Sequence, residues 1–188
     1  MKPKLTTEKI VQKATDIINK NGISTFTMSA VAEALRVTSP HLYKHISGLE
    51  PLLDGVTHAA FGHLKQVTID AAIGKSGIEA LIAIARVYRE FGRNFPGEFA
   101  CAARHSNPKD AETAKLRADI IQIYATIFGG KPDDDALIHK IRVYRSLIFG
   151  FVTLEVQGAF GDSRSIDESF AMIENLLGHV VELPVQKS

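Results

Sequence analysis

The chain has 188 residues, 45% of them hydrophobic, with 22 Lys and Arg against 21 Asp and Glu and one cysteine. That composition is ample for a buried core in one or two domains, and no run of about 18 or more uncharged apolar residues offers a membrane span. The lone Cys101 excludes an internal disulfide and the opening MKPKLTTEKI carries no apolar signal core, so a cytoplasmic protein with no membrane partner is expected.

Charge divides unevenly along the chain. Residues 1–47 hold seven basic residues (Lys2, Lys4, Lys9, Lys13, Lys20, Arg36 and Lys44) against the three acids Glu8, Asp16 and Glu33, a net of +4. The remainder has 15 basic against 18 acidic residues, net −3. A basic head on a mildly acidic body favours a polyanionic partner.

The first helix is expected over residues 5–20, with Ile10, Ala14, Ile17 and Ile18 on one face and Asn21-Gly22 as its stop. Residues 27–46 then read as two short helices joined by a tight turn. Val31, Ala34 and Leu35 repeat at helical spacing, Val37 follows the turn, and Leu42 and Ile46 lie one turn apart. The second of these helices packs through a narrow face. Thr38 or Ser39 caps it and Pro40 suits its first turn, where the missing N–H costs nothing.

Its other face presents Ser39, Pro40, His41, Tyr43, Lys44 and His45, none of them an acid that phosphate would repel. Such a pair of helices points to a helix-turn-helix on double-stranded DNA. Ser39, His41 and Pro40 stand nearest the base edges, Thr27, Tyr43 and Lys44 position the helix on the backbone, and His45 packs or touches phosphate.

Helices are expected next over residues 49–73, 76–95, 98–104 and 108–128. The segment 76–95 carries a broad apolar stripe and is ended by Asn94 to Gly97; 108–128 is closed by Gly129-Gly130 and Pro132. The long segment 133–160 has more apolar surface than one stripe requires, so two of its faces are expected to be buried. The last helix, 166–183, adds Phe170, Ile173, Leu176, Leu177, Val180 and Val181. Two adjacent helices with excess apolar face suggest a second copy, with Phe151, Leu154, Ile173 and Leu177 as buried positions. No segment alternates with a period of two, so the fold class is all-α.

The run TMSAVAEALRVTSPHLYKHISGLEPLLDGV, residues 27–56, resembles the DNA-binding segment of TetR-type transcriptional regulators, with Val31, Ala32, Val37, Leu42, Tyr43, Ile46 and Leu52 where the family pattern has them. Two positions depart. Arg36 stands where the family usually has a turn Gly, so it either bears backbone strain or relaxes the turn, and Leu49 replaces a common Lys. The stretch 148–161 is also similar to the subtype with a Trp-His-Gly signature, although Ile148 and Phe149 stand at the Trp and His positions and only Gly150 remains.

The resemblance implies a helix-turn-helix domain over 1–47 and a ligand-binding and dimerisation domain over 48–188. It also implies a homodimer on a pseudo-palindromic operator, probed by a small, largely apolar effector that releases a repressor from DNA. The effector pocket it implies draws on Tyr88, Phe91, Phe95 and Tyr124, with Arg145 as an anion anchor; each aromatic alone reads more readily as core packing. His58, His105 and Glu155 are further polar points in that region.

Enzyme chemistry finds no support, since the chain has no G-x-G-x-x-G, G-x-x-x-x-G-K, H-E-x-x-H or C-x-x-C. His58 and His63 are five apart with no acid to complete a site, and Cys101 near His105 reads as packing, so no metal or cofactor is expected. The alternative is a helical protein-interaction module without specific DNA readout.

Overall fold

Local chemistry sets the first helix ends. In the computed structural model, which describes residues 5–104 and 110–182, Thr6 caps α1 (Thr7–Asn21) by accepting the Lys9 N–H, and Gly22 closes it. Thr27 caps α2 (Met28–Leu35) in the same way through the Ala30 N–H, 3.2 Å away. Arg36 ends α2 in the left-handed region, φ 54° and ψ 44°. The Arg36 N–H bonds Glu33 O and the Val37 N–H bonds Ala32 O, a Schellman closure. The turn is therefore kept tight, and Arg36 carries a strain of roughly 1 kcal/mol that Gly would not.

α3 (Ser39–Tyr43) follows immediately, with Thr38 as its N-cap and Pro40 in its first turn. Then come α4 (Leu49–Ala72), α5 (Gly77–Asn94), α6 (Pro96–Arg104), α7 (Ala111–Phe128), α8 (Asp135–Val156) and α9 (Ile166–Glu182). Among the described residues there is no strand. Lys2, Lys4, His105, Pro108 and Leu183, which figure in the sequence reading, lie outside them.

Several helix ends differ from the pattern in sequence, with α7 starting at Ala111 and α8 at Asp135. α6 starts at Pro96 rather than 98, because proline fits a first turn and only Phe95 (φ −132°, ψ 59°) leaves helical geometry between α5 and α6. α8 stops at Val156 instead of 160, where a turn with Gly158 at φ 66° leads out of the helix. Phe160 still packs on Phe151, with ring centroids 4.9 Å apart.

Helix burial forms two apolar clusters. In the head, Ile10, Ala14, Ile18, Phe26, Val31, Leu42 and Ile46 meet Leu52, Leu53 and Val56 of α4 and Cys101 of α6. The head core therefore draws on the first two turns of α4. Leu42 is fully buried, so truncating it to Ala would cost about 2–5 kcal/mol and with it the seating of α3. The second cluster joins the rest of α4 to α5 through α9 around Tyr88, Tyr124, Tyr144, Ile148 and Leu177.

An ion network pins the last helices onto α5. Arg89, 8% exposed, reaches Glu155 of α8 at 2.7 Å and Asp167 of α9 at 2.7 Å, and its guanidinium lies 4.5 Å from the Phe170 ring centroid. Arg93 joins the same two acids, and Arg86 holds Glu174 with paired bonds of 2.8 Å. Burial opposes ionisation of Glu155, but Arg89 and Arg93 outweigh it and hold its carboxyl below the usual range. Glu155 is thus a structural anchor between α8 and α5.

Candidate nucleic-acid interface and effector cavity

The two apolar side chains of the α3 region fix how it faces solvent. Leu42 and Ile46 are buried in the head core, which leaves Ser39, Pro40, His41, Tyr43 and Lys44 exposed together, Tyr43 at 50%, with His45 half-buried. The His41 and His45 rings meet edge to face at 5.6 Å, and the Thr7 hydroxyl donates to His45 O at 3.4 Å, tying the end of this segment to α1. Thr27 is exposed beside it; its oxygen accepts the α2 cap bond, so its own proton remains available to an acceptor such as phosphate. Leu49 is exposed at the first position of α4 and supplies no charge.

A polar junction between head and body was not visible in the sequence. Asn19 of α1 donates to Glu98 Oε1 at 3.0 Å and accepts the Glu98 N–H at 2.9 Å, while Glu98 Oε2 meets His63 Nδ1 of α4 at 3.2 Å. Beside them, a Cβ on Gly97 would come within 2.5 Å of the Ile18 backbone, so only glycine permits this approach of α6 to α1. Glu98 is buried, and it joins α1 of the head through Asn19 to α4 of the body through His63.

The residues proposed for an effector separate into two places. Tyr88, Tyr124 and Arg145 line one cavity of about 480 Å³ between α4, α5, α7 and α8, a size suited to a small organic ligand. Phe91 is core, and Phe95 lines a different cavity of about 840 Å³ between α1 and α4, beside acids such as Glu8, Asp54 and Glu98. Phe91 and Phe95 instead frame His63, with ring centroids 4.7 and 4.8 Å away. His58 bonds the Thr113 hydroxyl at 3.0 Å, away from the smaller cavity.

Within that smaller cavity the hydroxyls are unequal. Thr68 donates to Leu64 O at 2.6 Å, so Tyr88 donates to Thr68 at 2.8 Å; Tyr144 donates to Leu81 O, also at 2.8 Å. The Tyr124 hydroxyl is buried beside those of Tyr88 and Tyr144 but forms no hydrogen bond of good geometry. Burial raises the ionisation range of all three phenols, so they act as neutral donors. Phe149 forms another part of the wall, with the Arg145 guanidinium 4.9 Å from its ring centroid.

Of the residues foreseen at a subunit interface, Phe151 and Leu177 are buried inside the protomer, Ile173 is half-buried and Leu154 is 45% exposed. Val143, Met172 and Leu176 add exposed apolar surface on the same two helices. Among the described residues no group of three or more His, Cys, Asp or Glu side chains is placed to hold a metal ion, and no helix is long and apolar enough to cross a membrane.

An all-helical chain with a helix-turn-helix head and a cavity-bearing bundle defines the architecture of ligand-responsive DNA-binding regulators. Residues 81–176 match the family described as the tetracyclin repressor-like C-terminal domain, and the chain belongs to this TetR family of helix-turn-helix transcriptional regulators. Its members are DNA-binding proteins and not enzymes. The match is at family level and does not single out the Trp-His-Gly subtype.

The chain is 27% identical over 167 residues to the uncharacterized HTH-type transcriptional regulator YobS of Bacillus subtilis, covering 89% of this chain and 87% of that one. A second such regulator, from Mycobacterium tuberculosis, is 26% identical over 161 residues, 85% of this chain and 74% of its own length. In fold, the chain is similar to a TetR variant from Acinetobacter baumannii in complex with minocycline, with a TM-score of 0.71, 20% identity and coverage of 95% and 96%. ActR of Streptomyces coelicolor, without ligand, gives a TM-score of 0.66 at 14% identity, covering 95% and 98%.

Proposed function

We propose that this chain is a cytoplasmic repressor that binds a pseudo-palindromic operator as a homodimer and leaves it when a small, largely apolar effector enters the bundle. The observation that carries the reading is the α3 face: Ser39, His41, Tyr43 and Lys44 exposed together beside Pro40, held in place by the buried Leu42 and Ile46. Ser39, Pro40 and His41 face the bases in this arrangement, and Thr27, Tyr43, Lys44 and His45 hold the backbone. Two copies are needed because one five-residue helix reads too few base pairs for a unique site. The exposed Leu154, Met172 and Leu176 of α8 and α9 supply the surface on which the copies meet.

The effector cavity is the one lined by Tyr88, Tyr124 and Arg145. Its wall residue Phe149 stacks on Phe99 of α6, at 4.6 Å and 20°, and the neighbouring Gly97 and Glu98 of α6 hold α1. A ligand that shifts Phe149 acts through α6 on the head, changing the spacing of the two recognition helices. Its effect on DNA affinity is limited by its differential affinity for the two arrangements, commonly about 1–3 kcal/mol.

Selection of bound sequences from a random duplex library tests the reading. An enriched inverted repeat is expected. Lys44→Ala should weaken all duplexes alike and lower the salt dependence by about one contact, whereas His41→Ala should change the preferred bases at one or two positions in each half-site. No enrichment from the library at low salt would end the proposal.

A further inference from the structure

Three arginines border the effector cavity. Arg117 of α7 and Arg145 and the more exposed Arg142 of α8 all line it, and among the described residues no Asp or Glu does. Among the described residues none of the three forms an ion pair, in contrast to Arg86, Arg89 and Arg93 of α5, each of which holds a carboxylate. Burial, and then the charge of Arg145, push the Arg117 guanidinium below its usual range. Two like charges thus face each other in a partly buried space without a counter-ion.

The rest of the wall is apolar, with Ile120, Ile121, Ile138, Ile141 and Phe149. Tyr124 borders this space close enough to Arg145 for the positive charge to act on it, while its hydroxyl is buried beside those of Tyr88 and Tyr144. Guanidinium forks match the two oxygens of a carboxylate or the oxygens of a phosphate, and they do so best out of water.

Resting on the effector reading above, we infer that this cavity takes an apolar molecule ending in an oxyanion, its charged end held by Arg117, Arg142 and Arg145. The hydrocarbon end lies along the isoleucines and Phe149. An uncharged molecule of the same shape forgoes the charged contacts, and a cationic one meets repulsion.

The test uses matched ligands on the full chain without DNA: decanoate, decyl phosphate, decanol and decylamine, followed by calorimetry and thermal melting. Decanoate or decyl phosphate should bind about tenfold or more tighter than decanol, and decylamine weakest; which oxyanion is preferred separates a carboxylate from a phosphate ligand. The single variants Arg145→Gln and Arg117→Gln should each remove most of that advantage while leaving decanol binding in place, which also shows that they fold.

Equal binding of acid and alcohol, a preference for the amine, or no binding by any of the four overturns the inference. Because no DNA is present, that failure leaves the regulator reading standing. Conversely, a failed duplex selection with a clear oxyanion preference would remove the operator and keep the cavity.

Discussion

Phe99 of α6 lies nearly parallel to Phe149 of α8, ring centroids 4.6 Å apart and planes 20° apart. One ring is anchored in the helix that holds α1 and the other in the wall of the candidate effector cavity, so the stack is one direct contact between the two.

Phe99→Leu should keep the apolar fill but lose the stacked contact. An aromatic pair contributes about 0.5–1.5 kcal/mol beyond its area. The expected outcome is decanoate binding within about twofold of wild type, with the decanoate-induced loss of DNA affinity reduced roughly fivefold. Operator titrations with and without decanoate measure it; an unchanged release would place the coupling outside α6.

Helix positions and the exposed face of α3 were legible because each rests on local pattern: Leu42 and Ile46 share one face, so Ser39, His41, Tyr43 and Lys44 had to share the other. The junction of Asn19 with Glu98 was not, since the residues are 79 apart and each reads alone as an ordinary polar residue. Aromatic spacing on α5 showed a face without showing what it meets, so Tyr88 and Phe95 were grouped although they line different cavities. Arg145 could be singled out, but its grouping with Arg117 depends on how α7 packs on α8. On α8 and α9 two apolar faces look alike in sequence, and only packing separates the core residues Phe151 and Leu177 from the open Leu154 and Leu176.

Arg36→Gly should stabilise the protein. The backbone at φ 54° costs a β-carbon-bearing residue about 1–2 kcal/mol, of which the greater freedom of glycine in the unfolded chain returns part. A net gain near 1 kcal/mol would raise the melting temperature by about 2–4 °C for a chain of this size. Arg36→Val, branched at the β-carbon, should lower it. A Gly variant that melts below wild type would show that the Arg36 side chain contributes more than the turn strain takes away.

The Arg89–Glu155–Arg93 cluster gives the fold an acid sensitivity. The folded protein holds the Glu155 carboxyl below its usual range, so the unfolded chain binds the proton first as pH falls. The stabilisation is fully present above the ordinary glutamate range, near 4.5, and is lost as pH drops through the lower folded value. At pH 7, Glu155→Gln should lose stability by about 1–3 kcal/mol, since Arg89 keeps only Asp167 as a charged partner. Urea midpoints measured from pH 7 to pH 3 should show the gap between wild type and variant closing toward the acid end. A constant gap would mean that Glu155 acts by shape and not by charge.

A charge on the two-faced terminal helices should have opposite consequences at neighbouring positions. Leu177 is fully buried and Leu176 is 49% exposed, so one substitution strikes the protomer core and the other its outer surface. Leu177→Asp places an unpaired carboxylate among Phe170, Val180 and the rest of the body cluster, and should lower stability severely or prevent folding. Leu176→Asp leaves the protomer fold within about 0.5 kcal/mol, by circular dichroism and melting of the monomer, because that side chain is already half open to solvent in the protomer. If α8 and α9 join two copies, the same variant sediments as a monomer at micromolar concentration where wild type sediments as a dimer. Operator affinity then falls by about a hundredfold or more, since a lone head keeps only one half-site. A Leu176→Asp protein that remains dimeric, or a wild type that is monomeric, would move the subunit contact away from this face.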